Sequence, residues 1–257
     1  MRILITNDDG VFAPGISVLA HAVAHAGHDV IVVAPNAERS GSGAAIGTIH
    51  DGTEIEVTTT DLDGITAYAV DGTPAMCSLM GFFEVFGPRP DLVLSGVNPG
   101  LNTGRGLLQS GTVGAVLTAS DFGISGAALS IDTPTAGGDY QWDTAARAAR
   151  TVLAWLIDQP RKTAVNVNIP NLAPDEIRGF RWGRLAAFGA TSMSMVGDVP
   201  GRIRTVVVPR IVELKPDTDT ALVTNGYIAM TTVVTPRATE PFDASGLHNH
   251  FSAQGRR

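Results

Sequence analysis

What this chain has little of narrows its class before any motif is read. It holds one cysteine, Cys77, which excludes an internal disulfide framework and suits a reducing compartment. No apolar run approaches the roughly 20 residues that a bilayer-spanning helix needs. Lys and Arg number 18 against 25 Asp and Glu, for a formal net charge of −7. No basic stripe gathers those cations, which argues against a duplex nucleic-acid surface, where phosphates require clustered positive charge. Internal repeats and heptads are missing as well. No charged-then-apolar leader precedes the first strand pattern, so the expected location is cytoplasmic. What is present is 257 residues, enough to bury a sizeable core without covalent staples.

The segment Arg2-Ile-Leu-Ile-Thr-Asn-Asp-Asp-Gly10 organises the rest. Ile3, Leu4 and Ile5 fit a strand buried on both faces, and the apolar run stops at Asn7-Asp8-Asp9-Gly10. Two adjacent carboxylates thus sit at a strand's carboxyl end, the edge where open parallel sheets bind ligands. They repel unless a cation or a proton relieves them. A divalent metal is one remedy, and a solvent-facing acidic turn is the plainer reading of the same residues.

A second buried strand over 30–34 ends in a polar loop, 35–43, that carries Ser40. A third, Leu92-Val93-Leu94, opens into the glycine-rich stretch 95–106 with Asn98 and Asn102. Ser110-Gly111-Thr112 then starts an apolar helix reaching about residue 122. A glycine-rich loop entering a helix N-terminus suits a phosphate, although a plain surface loop has the same composition. If the three loops share one edge, Asp8, Asp9, Ser40 and Asn98 offer only oxygen ligands, a set suited to Mg²⁺ or Mn²⁺ over zinc. A dinucleotide site fits less well, because no G-x-G-x-x-G follows the first strand and bare aspartates repel a pyrophosphate. His21 and His25 lie outward on a helix over 14–27 and lack a third ligand.

Further along, 54–58 and 66–70 straddle Asp61-Leu62-Asp63-Gly64 as a hairpin, and Thr73-Pro74 caps a helix to about residue 86. A polar loop spans 131–140, a helix 144–157, and strands 164–169 and 180–185. The Gly-, Ser- and Met-rich stretch 188–202 reads as a loop, before strands at 205–208, extending toward 214, and at 227–234. From 235 the chain turns polar, and His248-Asn249-His250 reads as part of a tail rather than a metal site.

At these residues the sequence resembles the SurE family of nucleotidases. The resemblance is carried by Ile5-Thr6-Asn7-Asp8-Asp9-Gly10, by Val33-Ala34-Pro35 with Glu38-Arg39-Ser40, and by Gly72-Thr73-Pro74-Ala75. It continues in Ser95-Gly96-Val97-Asn98 with Gly100, Asn102 and Gly104, and in Ser110-Gly111-Thr112-Val113. Weaker echoes are Asn166-Val167-Asn168-Ile169-Pro170, Thr218-Asp219 with Ala221-Leu222, and Gly226-Tyr227.

The resemblance implies a metal-dependent phosphomonoesterase acting on nucleoside 5′- or 3′-monophosphates and, in some members, on short polyphosphate. It implies one divalent ion per subunit on Asp8, Asp9, Ser40 and Asn98, and a phosphate cradle of Asn102, Ser110, Gly111 and Thr112. Asp8 or Asp9, whichever keeps a free oxygen, is expected to accept the proton of the attacking water. The adjacent spacing of these aspartates differs from the Asp-x-Asp of phosphatases that form an aspartyl-phosphate. The implied fold is a Rossmann-like three-layer α/β/α core with a mostly parallel sheet, 1–185. A smaller β extension, 186–234, would pair subunits into homodimers or homotetramers, and 235–257 is the tail. Met76, Gly106 and Gln109 depart from the family pattern, where Asp, Asp and Tyr or His are usual. These departures spare the four expected ligands and bear on rate and substrate preference, so a nucleotide or polyphosphate sensor is the alternative to an enzyme.

Overall fold

The computed structural model describes residues 1–135, 137–187, 191–199, 201–209, 214–236 and 238. Its main sheet has nine strands in the order β3-β4-β2-β1-β5-β6-β7-β11-β8. The central run is parallel: β4 (Ile65–Val70), β2 (Asp29–Pro35), β1 (Arg2–Thr6), β5 (Leu92–Pro99), β6 (Ser125–Ile131) and β7 (Ala164–Ile169). β3 (Val57–Leu62) closes one side antiparallel to β4, with Asp63 and Gly64 at positive φ in the turn between them. At the other side β11 (Ile228–Thr232) runs antiparallel to β7 and carries the short β8 (Phe180–Trp182).

Both faces of the sheet are covered, and the strand pleat decides which side chain goes where. Ile3, Ile5, Leu92 and Leu94 pack with α1 (Pro14–His25) and α4 (Trp142–Ile157). Leu4 and Val93, one residue out of phase, pack with α2 (Pro74–Phe82) and α3 (Gly111–Asp121). Continuous apolar strands are what a sheet buried on both faces demands. Cys77 is buried in α2, and burial pushes its thiol up to about 12, so it is no nucleophile at neutral pH.

The helix starts follow local chemistry. Thr73 caps α2 by accepting from the Met76 N–H at 3.2 Å, with Pro74 at the first helical position. Ser110 caps α3 in the same way through the Val113 N–H. On α1 the rings of His21 and His25 engage the carbonyls four residues earlier, both at 2.8 Å. Among the described residues no helix is long and apolar enough to cross a membrane.

Several elements differ from expectation. α2 ends at Phe82 rather than near 86, and Glu84 beyond it has φ 61°. β5 runs on to Pro99, because Gly96 lets its backbone lie against β6; a Cβ there would sit 2.2 Å from the Leu129 carbonyl oxygen. The stretch expected as a loop holds β9 (Thr191–Val199), which pairs antiparallel with β10 (Arg202–Pro209) in a separate two-stranded sheet. Its residues Ser194, Met195, Val196 and Gly197 are exposed, and strand pairing satisfies its backbone. A short helix, α5 (Asp219–Thr224), precedes β11. Of the stretch 186–234 expected as an extension, β11 is a strand of the main sheet, where Val167 and Met230 face each other in register. His248-Asn249-His250 lie outside the described residues.

Candidate active site

β1 is flanked by β2 on one side and β5 on the other, and the chain leaves β1 for α1 in one layer of helices but leaves β5 for α3 in the other. Such a reversal opens a crevice at the carboxyl ends of the strands. Asp8 and Asp9 follow β1 directly into it. The Asn7 side chain closes the turn, its Nδ2–H₂ donating to the Gly10 carbonyl at 2.9 Å.

Three loops are stitched together around this pair. The Val11 N–H donates to the Pro35 carbonyl at 2.9 Å, and the Arg39 N–H to the Asp8 carbonyl at 2.7 Å. The Gly43 N–H reaches the Gln109 carbonyl at 3.1 Å. Arg39 also pairs with Asp71 at 2.6 Å, anchoring the second loop from outside. α3 then packs hard against that loop, for a Cβ on Gly114 would fall 2.0 Å from the Gly43 carbonyl oxygen.

Asp8 is buried, and the Thr112 hydroxyl donates to its Oδ1 at 2.6 Å. Gly111 lies directly against it: a Cβ there would stand 2.8 Å from Asp8 Cβ and 2.6 Å from Ser42 Oγ. Burial raises the Asp8 carboxyl above its ordinary range, while the Thr112 hydroxyl and the amides of Thr112 and Gly111 hold the rise back. The Ser-Gly-Thr turn therefore grips a protein carboxylate at the positive end of α3. Asp9 is helped only by its own backbone N–H. Burial first, then the negative charges of Asp8 and Glu38, push its carboxyl up to about 7.

A cation fits this arrangement. Asp9 Oδ2 is buried without a hydrogen-bond partner, a state that costs on the order of 1–3 kcal/mol or more for a polar atom. Among the described residues no three His, Cys, Asp or Glu side chains converge. A cation here would rest on two carboxylates helped by hydroxyl and amide oxygens, a hard all-oxygen set.

The other expected residues are placed unevenly. Ser40 is on the exposed part of the second loop, and its hydroxyl donates to Glu38 Oε1 at 2.8 Å. Asn98 sits within β5, and its Nδ2–H₂ donates to the Gly100 carbonyl at 2.6 Å, which leaves Oδ1 for a ligand. Ser110 serves as the cap of α3. Asn102 is held by β6 and β7. Its Nδ2–H₂ donates to Ser130 Oγ at 2.8 Å and its N–H to Asn168 Oδ1 at 2.8 Å, while Asn166 and Asn168 both donate to its carbonyl.

Sequence reading quoted Glu38, Asn166, Asn168 and Asp219 in the resemblance without giving them a role, and it did not single out Ser42. Asn166 and Asn168 buckle the third loop from β7, and polar residues inside an otherwise apolar buried strand were the available signal. Asp219, fully buried, accepts from the N–H groups of Gly104, Ala186 and Thr220 at 2.8, 2.9 and 2.8 Å. Glu38 contributes charge to Asp9. Ser42 Oγ is buried beside Gly111 with no hydrogen-bond partner.

A family model described as "Survival protein SurE" matches residues 3–191. A protein named 5′-nucleotidase SurE from Xanthomonas axonopodis pv. citri (strain 306) is 41% identical over 187 residues, covering 72% of this chain and 70% of that one. Its namesake from Synechococcus sp. (strain WH7803) is 42% identical over 192 residues, covering 72% and 69%. The crystal structure of the SurE protein from Aquifex aeolicus superposes with a TM-score of 0.76 at 27% identity, covering 99% of this chain and 100% of that one.

Proposed function

Because the chain belongs to the SurE family, we propose that it is a divalent-metal-dependent 5′-nucleotidase, hydrolysing nucleoside 5′-monophosphates to nucleoside and phosphate. The observation that carries this reading is the buried, unpartnered Asp9 Oδ2 beside a buried Asp8 at the sheet's crevice. Asp8 and Asp9, with Ser40 and Asn98 Oδ1, would hold one Mg²⁺ or Mn²⁺. When bound, such an ion supplies Lewis acidity toward phosphoryl oxygens and water.

The protein's own groups do the rest. Thr112 and the Gly111 amide fix the direction of the Asp8 carboxylate. That tether leaves Asp9 the freer acceptor for the proton of the attacking water. The start of α3 turns the positive end of its dipole to the side where phosphoryl charge builds. Asn102 holds the third loop in place through β6 and β7 and so shapes the cradle.

Activity on 3′-monophosphates and short polyphosphate belongs to the same proposal, since a site that grips the phosphoryl group tolerates different leaving groups. The β9–β10 hairpin, with Met195 and Ile203 exposed, is the proposed means of pairing subunits, and the cytoplasm is the proposed location. The test is phosphate release from a panel of nucleoside 5′- and 3′-monophosphates and triphosphate, with Mn²⁺, with Mg²⁺ and with chelator. Metal-dependent release led by 5′-monophosphates is expected. Nucleotide binding without release would leave a sensor as the better description.

A further inference from the structure

The same sheet edge holds a second recess. An open cavity of about 400 Å³ lies beyond the carboxyl ends of β6 and β7, with Asp132, Gln141, Pro170, Asn171, Leu172 and Thr224 in its lining. Small-molecule sites span roughly 300–1,000 Å³. Its polar groups are fixed by backbone contacts. The Asp132 N–H donates to the Ile169 carbonyl at 2.8 Å, and Asp132 Oδ1 accepts from the Thr133 N–H at 2.8 Å. Asn171 is pinned at both ends, accepting from the Gln141 N–H at 2.8 Å and donating to the Asp139 carbonyl at 3.1 Å.

The recess is coupled to the aspartate pair. Asn98 faces Ser130 and Pro99 faces Ile131 across β5 and β6, so Asp132 stands two residues beyond Asn98's partner. Strand spacing puts the two about 8 Å apart along the edge. Tyr140 lies in the chain between the lining residues Asp139 and Gln141 and reaches toward β5. Its hydroxyl donates to the Pro99 carbonyl at 3.3 Å, and its ring stacks on Trp142 with centroids 4.9 Å apart. Burial and the charges of Asp9 and Asp132 together push its phenol up, so it lies within the field of both carboxylates.

The chemistry of the recess excludes the phosphate itself. Asp132 and Asp139 make it negative, and burial raises the Asp132 carboxyl despite its Thr133 hydrogen bonds. A carboxylate repels phosphate and accepts hydrogen bonds, and hydroxyl groups are neutral donors that suit it. An acidic residue at a strand end that accepts from ribose is a recurrent solution in open α/β sheets. We propose that this cavity seats the nucleoside of the substrate, with the Asp132 carboxylate accepting from the ribose hydroxyls. The inference rests on the nucleotidase reading above.

The test compares kcat/KM for adenosine 5′-monophosphate and its 2′-deoxy counterpart in the wild type and in Asp132→Asn. The wild type should favour the ribonucleotide by about 10- to 100-fold, the worth of a hydrogen bond to a charged acceptor, and the variant should bring the ratio near one. A wild-type ratio near one, or a ratio that Asp132→Asn does not move, overturns the subsite while leaving the enzyme intact. No metal-dependent release from any nucleotide by the wild type overturns the nucleotidase reading and the subsite with it. Should Asp132→Asn not fold, Asp132→Glu displaces the carboxylate by one methylene and must also lower the ratio; an unmoved ratio there overturns the subsite.

Discussion

Replacing Gly111 by Ala sets helix propensity against site geometry. At an unconstrained position in a helix, alanine is favoured over glycine by about 0.5–1 kcal/mol. Here the added Cβ would lie 2.8 Å from Asp8 Cβ, about 0.6 Å inside ordinary van der Waals contact, which begins at 3.4 Å. Ser42 Oγ, at 2.6 Å, is the end of a side chain and can rotate away. Asp8 Cβ is one bond from the backbone and cannot, so the carboxylate or the start of α3 must shift. Overpacking of this kind costs about 1–3 kcal/mol, and the propensity gain of about 0.5–1 kcal/mol offsets part of it, for a net destabilisation of about 0–2.5 kcal/mol. Displacement of a reacting group by as little as 1 Å can cost on the order of 100-fold in rate. Gly111→Ala should therefore melt within several degrees of the wild type yet lose most of its Mn²⁺-dependent phosphate release. Gly106→Ala is the control, since nothing lies within 4 Å of a Cβ there. Full activity in Gly111→Ala would refute the tight packing of Asp8 on α3.

Thr112→Val deletes the 2.6 Å hydrogen bond to Asp8 at nearly constant volume. It should weaken the Mn²⁺ dependence of turnover by about 10- to 100-fold, as loss of an orienting partner does, and Thr112→Ser should restore most of it; an unchanged Mn²⁺ titration contradicts this. Asp219→Ala strands the N–H groups of Gly104, Ala186 and Thr220, each loss worth about 1–3 kcal/mol when buried, so the denaturant midpoint should fall by the equivalent of about 3 kcal/mol; a loss below about 1 kcal/mol would refute the anchoring. The pH dependence has a definite sign. Asp9 is pushed from 3.8 up to about 7 in the folded chain, and Asp8 and Asp132 move the same way. Across that window the unfolded chain binds fewer protons than the folded one, so with chelator present stability should fall as pH rises from 3.8 toward 7. Mn²⁺ should flatten the slope, and melting temperatures that climb over the same range with chelator would refute the carboxylate strain.

How much could be read beforehand depended on how local the cause was. Ile3-Leu4-Ile5 running into Asn7-Asp8-Asp9-Gly10 contains both the strand and its end, and Thr73-Pro74 and Ser110-Gly111-Thr112 carry their caps within a few residues. The contact of Asp8 with Thr112 was not legible, because its partners are 104 residues apart. The same holds for Asn102, whose hydrogen bonds to Asn166 and Asn168 span 64 and 66 residues. A glycine-rich loop looks alike whether it faces a ligand or is buckled to a neighbouring strand. β9 was missed although Ser192-Met193-Ser194-Met195 alternates with a period of two, because the Gly, Ser and Met content of 188–202 weighed toward a loop. β11 was found as a strand, but its insertion between β7 and β8 is a tertiary choice that its own residues do not encode. Asp132 stands at a strand end as Asp8 does, and the same rule applied there would have singled it out.

The most direct measurement is Mn²⁺-dependent phosphate release from adenosine 5′-monophosphate by Asp9→Asn beside the wild type, at matched Mn²⁺, with circular dichroism on both. Asparagine keeps the volume and removes the charge whose Oδ2 has no partner in the protein. If Asp8 and Asp9 hold the cation that hydrolysis needs, the variant keeps the wild-type spectrum and loses turnover by about 100-fold or more, on the scale of removing one strong electrostatic contributor to a reaction. Wild-type rates from a folded Asp9→Asn would place the chemistry somewhere else on this molecule.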